Sequence, residues 1–232
     1  MPERLPSVLA TVYLIFNEGY LGTSSDELVR DDLCAEAIRL AGVLAAMLDG
    51  EPEALGLLAL MELTHARRGA RVDAAGGLVP LAEQDRSRWD RAQLERGRAL
   101  AARAILHGPA GQYTVQAAIA VEHARAARAA DTDWARIANL YAWLVRFDPS
   151  PVVELNRAVA IAEAEGPARG LELVEAIDGL GGYQPLHVAR ADLLARVERP
   201  AEAAAAYRAA LELTDNPVQR AFIERRLGEL AA

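Results

Sequence analysis

Shifted by 33 residues, the C-terminal half of this chain falls onto itself. Three segments coincide: Trp134 to Val145, Pro167 to Asp178 and Pro200 to Leu211. Ala135, Ala168 and Ala201 share one position; Tyr141, Val174 and Tyr207 share a second; Leu144, Ile177 and Ala210 share a third. The preceding segments align at the same offset, with Ala129, Ala162 and Ala195 in register. A period of about 34 residues with two helix-like stretches per period marks a repeat architecture. One such helix pair cannot bury its apolar face alone, so successive pairs must stack, with alanines where helices touch.

Two helices per period, small residues at the contacts and an aromatic late in the second helix resemble tetratricopeptide (TPR) repeats, which stack into a curved solenoid that binds another polypeptide. Composition agrees with an all-α chain. Of the 232 residues, 52% are hydrophobic but only 5% aromatic, because alanine and leucine supply most of the apolar content, and both favour helix. No apolar run is long enough to span a bilayer, and no basic, signal-like leader opens the chain. A single cysteine, Cys34, excludes an internal disulfide framework and fits a cytoplasmic location.

The net charge of −8 is spread unevenly, and every basic residue is arginine. Residues 1–66 carry 3 arginines against 11 acidic residues, 67–103 carry 9 against 5, and 104–232 carry 13 against 17. An acidic chain without a basic recognition helix does not bind DNA directly, since duplex binding rests on many cationic contacts to phosphate. The basic segment 67–103 reads as a solvated helix face with arginines paired one turn apart, or as a surface that meets an acidic partner.

Apolar periodicity, caps and prolines predict helices at roughly 3–20, 26–48, 52–69, 86–106, 112–130, 134–147, 151–165, 167–178, 184–197, 200–214 and 217–230. Ser25 or Asp26 is placed to cap the second, and Asp49-Gly50 stops it. Pro52, Pro151, Pro167 and Pro200 sit in first turns, where a missing N–H does no harm. Between Ala70 and Leu81, β-favouring residues flank Gly76-Gly77 and predict a short β-hairpin or an extended loop. The run from His107 to Gly111 is the strongest breaker and predicts a boundary between a helical domain over 1–110 and a TPR-like repeat domain over 111–232. The expected fold is therefore all-α: an N-terminal helical bundle with a short β-hairpin, then an α-solenoid.

The sequence makes no positive case for catalysis, a cofactor or a metal. No nucleophile elbow, phosphate loop or dinucleotide fingerprint is present. Glu62 and His65 have a Glu-x-x-His spacing, but a helical di-iron centre needs a second such pair, so they read as part of a solvated helix face. Cys34 reads as a small core residue. Two polar motifs remain. In the first, the helix carrying Phe16 ends in Asn17, Glu18, Gly19 and Tyr20, with Gly19 as a left-handed cap and Tyr20 folded back over the helix. Glu18 opposes the helix dipole there and calls for a cation, for which Arg30 is the nearest choice. In the second, Asp85, Arg86, Ser87, Arg88 and Asp90 surround Trp89; Asp85 or Ser87 caps a helix that Trp89 anchors. Asn17, Glu18 and Arg86 are expected to form a polar network joining the first helix to the loop before Trp89. In the repeats, groove-facing positions would include Ile119, Glu122, Val152, Leu155, Val159, Val188 and Asp192. This centre is apolar, and it would either receive an amphipathic helix or be closed by the chain's own N-terminal helices.

VYLIFNEGY, PEALGLLALMELTHARRGARVDAAGGLVPLAEQDRSRWD, YTVQAAIAVEHA, DTDWARIANLYAWL and SPVVELNRAVA, in this order and spacing, resemble the long C-terminal extension of a group of extracytoplasmic-function (ECF) sigma factors. The likeness runs from about residue 3 to the end, and FNEGY and QDRSRWD are more distinctive than any repeat pattern. Glu62 and Thr64 depart from it. The resemblance implies a non-catalytic, protein-binding regulatory domain of a bacterial transcription initiation factor. Its partners would be sigma regions two and four of the same polypeptide and/or RNA polymerase core. The sequence starts where those regions would have ended and reads as an isolated C-terminal domain with Met1 as an added start. The rival readings are a stand-alone TPR adaptor and, further off, a helical metalloenzyme.

Overall fold

The computed structural model describes residues 4–21 and 30–230. Among them there are eleven α-helices and no strand: α1 Leu5–Leu21, α2 Asp31–Met47, α3 Pro52–His65, α4 Arg91–His107, α5 Gln112–Arg125, α6 Trp134–Leu144, α7 Pro151–Glu165, α8 Pro167–Glu175, α9 Gln184–Arg196, α10 Pro200–Glu212 and α11 Pro217–Glu229. Each answers to one expected segment, because periodicity and caps are local signals. The proposed caps Ser25 and Asp26 lie outside the described residues. Asp90 starts α4 by accepting from Gln93 N at 2.9 Å, Asp133 starts α6 through Arg136 N at 2.9 Å, and Asn216 starts α11 through Val218 N and Gln219 N. No described helix is long and apolar enough to cross a membrane.

By packing, the chain divides into two compact units, 1–132 and 133–232. The division expected at 110/111 falls inside the first unit, because α5 packs on α3. Glu53, in the first turn of α3, supplies the cap that α5 lacks locally: its carboxylate accepts from Tyr113 N and Thr114 N, both at 2.9 Å, and from Thr114 Oγ1 at 2.8 Å. Gly56 lets the two backbones approach, since a Cβ there would lie 2.6 Å from Thr114 N. α3 is the centre of this unit, touched by α1, α2, α4 and α5. It is apolar nearly all round, as a central helix must be. Leu9, Phe16, Leu57 and Met61 form one core around it, and Leu63, Trp89, Leu94 and Ala124 a second.

The hairpin expected between Ala70 and Leu81 does not form. A single antiparallel bridge joins Val72 to Leu78. Between them Asp73 Oδ1 accepts from Ala75 N and Gly77 N, both at 2.8 Å, and Gly76 takes a positive φ of 84°. The carboxylate holds amides that a two-residue turn would have left free. A ladder cannot extend on either side, because Arg71 has helical dihedrals and Pro80 has no N–H.

In the second unit α6 packs on α7, α7 on α8, α8 on α9, α9 on α10 and α10 on α11, and α7 also meets α9. Burial follows the 33-residue period. Ile137, Gly170 and Ala203 are buried at one position of the repeat, and the pairs Val153/Leu186, Ala158/Ala191, Ala160/Leu193 and Ile161/Leu194 are buried at others. Ion pairs also join α7 to α9 and α9 to α11. Glu163 of α7 pairs with Arg196 of α9, Arg196 lies 3.6 Å from Asp192, and Asp192 meets Arg226 of α11 at 2.8 Å.

Candidate functional site

Arginines of the 67–98 segment close the ends of helices in the first unit. Arg71 is 6% exposed; its Nη1 donates to Tyr20 O in the last turn of α1, and its guanidinium lies 3.8 Å from the centroid of the Tyr20 ring. Tyr20 in turn stacks on Phe16, centroids 5.6 Å apart. A cation at this helix end complements the macrodipole. Arg30, expected as the partner of Glu18, pairs with Asp32 at 3.2 Å. Burial, with Arg67 nearby, lowers the Arg71 pKa from its ordinary value.

Gly19 is not the expected left-handed cap. It sits inside α1, which runs on to Leu21, and its missing side chain admits α2: a Cβ would lie 2.8 Å from Leu33 Cβ and 2.9 Å from Cys34 N. Cys34 is fully buried, as expected of a core residue, and burial, with Asp31 adding to it, pushes its thiol up to about 11.

Arg86 closes α5. Nη1 donates to His123 O at 2.6 Å and Ala126 O at 2.7 Å, Nη2 donates to Thr132 Oγ1 at 3.3 Å, and the guanidinium lies 4.8 Å from the centroid of the Trp89 ring. Arg98 adds a bond to Ala124 O at 2.6 Å. The expected network of Asn17, Glu18 and Arg86 is therefore not the one formed. Arg86 spends its donors on α5, and Asn17 hydrogen-bonds Tyr13 one turn earlier. Trp89, 4% exposed, anchors the segment as expected. Asp85 caps only a short turn over 86–88, and α4 starts five residues later than predicted.

A second polar group joins α2, α3 and α4. His65 Nε2 lies 2.6 Å from Asp31 Oδ1, His65 Nδ1 lies 3.1 Å from Gln93 Nε2, and Arg68 donates to Gln93 Oε1 at 3.0 Å. With Gln93 donating to Nδ1, Nε2 carries the proton directed at Asp31. Glu62, 8% exposed, pairs with Arg96 at 3.5 Å. Glu62 and His65 thus face the protein interior, which corrects the solvated-face reading. Among the described residues no group of three or more His, Cys, Asp and Glu could hold a metal ion.

The apolar row read as a groove is largely absorbed into packing. Leu155, 3% exposed, belongs to the core of the second unit; Val152 and Val188 pack against that core, and Val159 is half-buried. Asp192 is held by Arg226 and Arg196. Ile119 and Glu122 are buried on α5 in the first unit. A cavity of about 300 Å³ opens instead beside the start of α7, lined by Pro149, Pro151, Arg157, Leu173 and Ile177. Arg71, Gln93 and Glu53 are site residues that sequence reasoning missed, and His65 is one it read as solvent-facing. The surplus of positive charge in 67–103 was the one signal pointing toward Arg71.

Residues 4–105 match a family described as a family of unknown function, DUF6596. Over 231 residues the chain is 45% identical to an uncharacterized protein of Rhizobium meliloti strain 1021. The match takes in 99% of this chain and 55% of that protein, so the chain spans about half the length of the curated relative it matches. No solved structure matches it.

Proposed function

We propose that this chain is a non-catalytic regulatory domain that works by protein contact in bacterial transcription initiation, as the TPR-containing C-terminal extension of an ECF sigma factor. Its partners are sigma regions two and four and/or RNA polymerase core, in the cytoplasm. The observation that carries the reading is the 33-residue register of burial from α6 to α10, the arrangement a stacked repeat requires. The resemblance of FNEGY and QDRSRWD supplies the transcriptional context. The greater length of the Rhizobium relative supports a domain that operates joined to others, where tethering raises the effective concentration of its partner.

The arginine-closed first unit supplies a shaped body rather than a reacting centre, since Arg71 and Arg86 are engaged by helix ends. The aromatic side chains left most open among the described residues are Trp143 on α6 and Phe147 just past its end, 57% and 45% exposed, with Arg146 between them. Exposed aromatics beside arginine match the composition of interface hot spots. Co-purification of the chain with sigma regions two and four, and separately with core polymerase, at low and high salt, tests the proposal. Capture of either partner, weakened by Trp143→Ala, is the expected result. Capture of neither, together with tight salt-sensitive DNA binding, refutes it; capture of neither without DNA binding favours a stand-alone adaptor.

A further inference from the structure

Among the described residues, the connection between α3 and α4 gathers more positive charge than its surroundings neutralise. The turn after α3 is tied to the 86–90 turn by Asp90 N donating to Ala66 O at 2.9 Å, and Gly69 faces Arg88 O, where a Cβ would sit at 3.6 Å. This docking ties the turn that carries Arg67 and Arg71 to the one that carries Arg86, whose guanidinium reaches His123 O of α5. No carboxylate among the described residues lies within 4.0 Å of any of the three guanidiniums. Asp131 is the acid that most influences Arg86, and it is held in a two-bond pair with Arg128 at 2.8 and 2.7 Å.

Arg71 and Arg86 discharge part of their charge on the carbonyls of α1 and α5. Arg67 does not. Half-buried at the end of α3, its side chain makes no hydrogen bond or ion pair with any described residue, and its Nε is a buried donor without an acceptor. Arg86 Nε, Trp89 Nε1 and Arg98 Nε are also buried donors without acceptors, against one buried acceptor in the same connection without a donor, Gln84 Oε1. Buried donors in excess of acceptors, under like charges, are costly unless something negative meets them. Planar guanidinium forks meet an oxyanion with paired, charge-assisted bonds. A cation is excluded by the same charges. We propose that Arg67, backed by Arg71 and Arg86, forms a binding site for a small oxyanion at the α3–α4 connection. The influence of Arg67 reaches all three neighbours: it depresses Arg71, Arg86 and His123 alike.

Thermal unfolding of the full chain in sodium phosphate, against sodium chloride of matched ionic strength, tests the proposal. Phosphate at tenfold above its Kd should raise the melting midpoint by about 3–5 °C and saturate. An acetate series separates the source: a shift with acetate marks a carboxylate site, a shift with phosphate alone a phosphate site. Arg67→Gln removes no bond to any described residue, so in chloride it should melt at or above the parent temperature and lose the saturable shift. A parent without a phosphate shift beyond chloride, or an R67Q variant that keeps it, overturns the site. Should R67Q fail to fold, Arg67→Lys decides. A weakened saturable shift supports the site, since the point charge stays and the fork is lost; an unchanged or absent shift overturns it.

Discussion

Arg86→Ala measures whether an arginine from a distant turn holds the end of α5. The parent side chain donates to His123 O at 2.6 Å, Ala126 O at 2.7 Å and Thr132 Oγ1 at 3.3 Å, and faces the Trp89 ring at 4.8 Å. Hydrogen bonds from a charged donor contribute about 1.5–3 kcal/mol each, and the ring contact about 0.5–1 kcal/mol. Two terms oppose the loss. Up to about 2 kcal/mol of side-chain entropy is regained, and the half-exposed position lets water reach part of what is uncovered. The net cost is about 2–4 kcal/mol, or about 4–16 °C in the melting midpoint at about 2–4 °C per kcal/mol. Circular dichroism melts and urea titrations of parent, Arg86→Ala and Arg86→Lys provide the measurement. Lysine keeps the charge but cannot span two carbonyls and a hydroxyl, so it should fall between. Amide exchange should accelerate in the last turn of α5 ahead of α3. A midpoint for Arg86→Ala within about 1 °C of the parent would show that these bonds contribute nothing net, and the cap would have to be abandoned.

Gly170→Ala puts a Cβ 2.2 Å from Ala162 Cβ and 2.9 Å from Ala162 Cα, so α7 and α8 must separate; a loss of about 1–3 kcal/mol is expected from urea midpoints. Gly42→Ala, with nothing within 4 Å of its Cβ, should instead gain up to about 1 kcal/mol, and equal effects at both sites would rule out the close crossing. His123 is lowered from 6.5 to about 4 by burial, then by Arg67 and Arg86. The unfolded chain therefore takes up a proton before the folded one does, and stability should fall as pH drops from 6.5 towards 4, by up to about 3 kcal/mol. Urea midpoints across that range should flatten in His123→Gln; an unchanged slope would assign the pH dependence to other groups. Cys34, buried and pushed up to about 11, should react with a disulfide reagent only slowly in native buffer and fast in urea. Fast native reaction would contradict its burial.

Where each helix runs was legible from sequence because its causes are local. Apolar spacing, Asp90, Asp133 and Asn216 as caps, and prolines in first turns all act within a few residues. The 33-residue register was legible for the same reason, and it holds for burial at Ile137, Gly170 and Ala203, whereas the aligned alanines Ala135, Ala168 and Ala201, expected where helices touch, are exposed. What tertiary structure alone decided spans long separations. Glu53 caps α5 from 60 residues away, and that contact carries α5 into the first unit although the breaker at 107–111 suggested otherwise. Gly19 is spent on the approach of α2 rather than on a cap, which no pattern within FNEGY reveals. The hairpin failed because the Asp73 carboxylate, with Pro80 beyond it, outweighed a Gly-Gly turn signal. Leu155 lies on the expected helix but in the core of the second unit, since periodicity reports that a face is apolar and not what covers it. The positive surplus of 67–103 was visible in the sequence, but its use was not. An arginine's side chain is long and its acceptors are backbone carbonyls, which every residue carries. Only the folded chain, bringing Tyr20 to Arg71 and His123 to Arg86, determines which carbonyls are met and which guanidinium is left over.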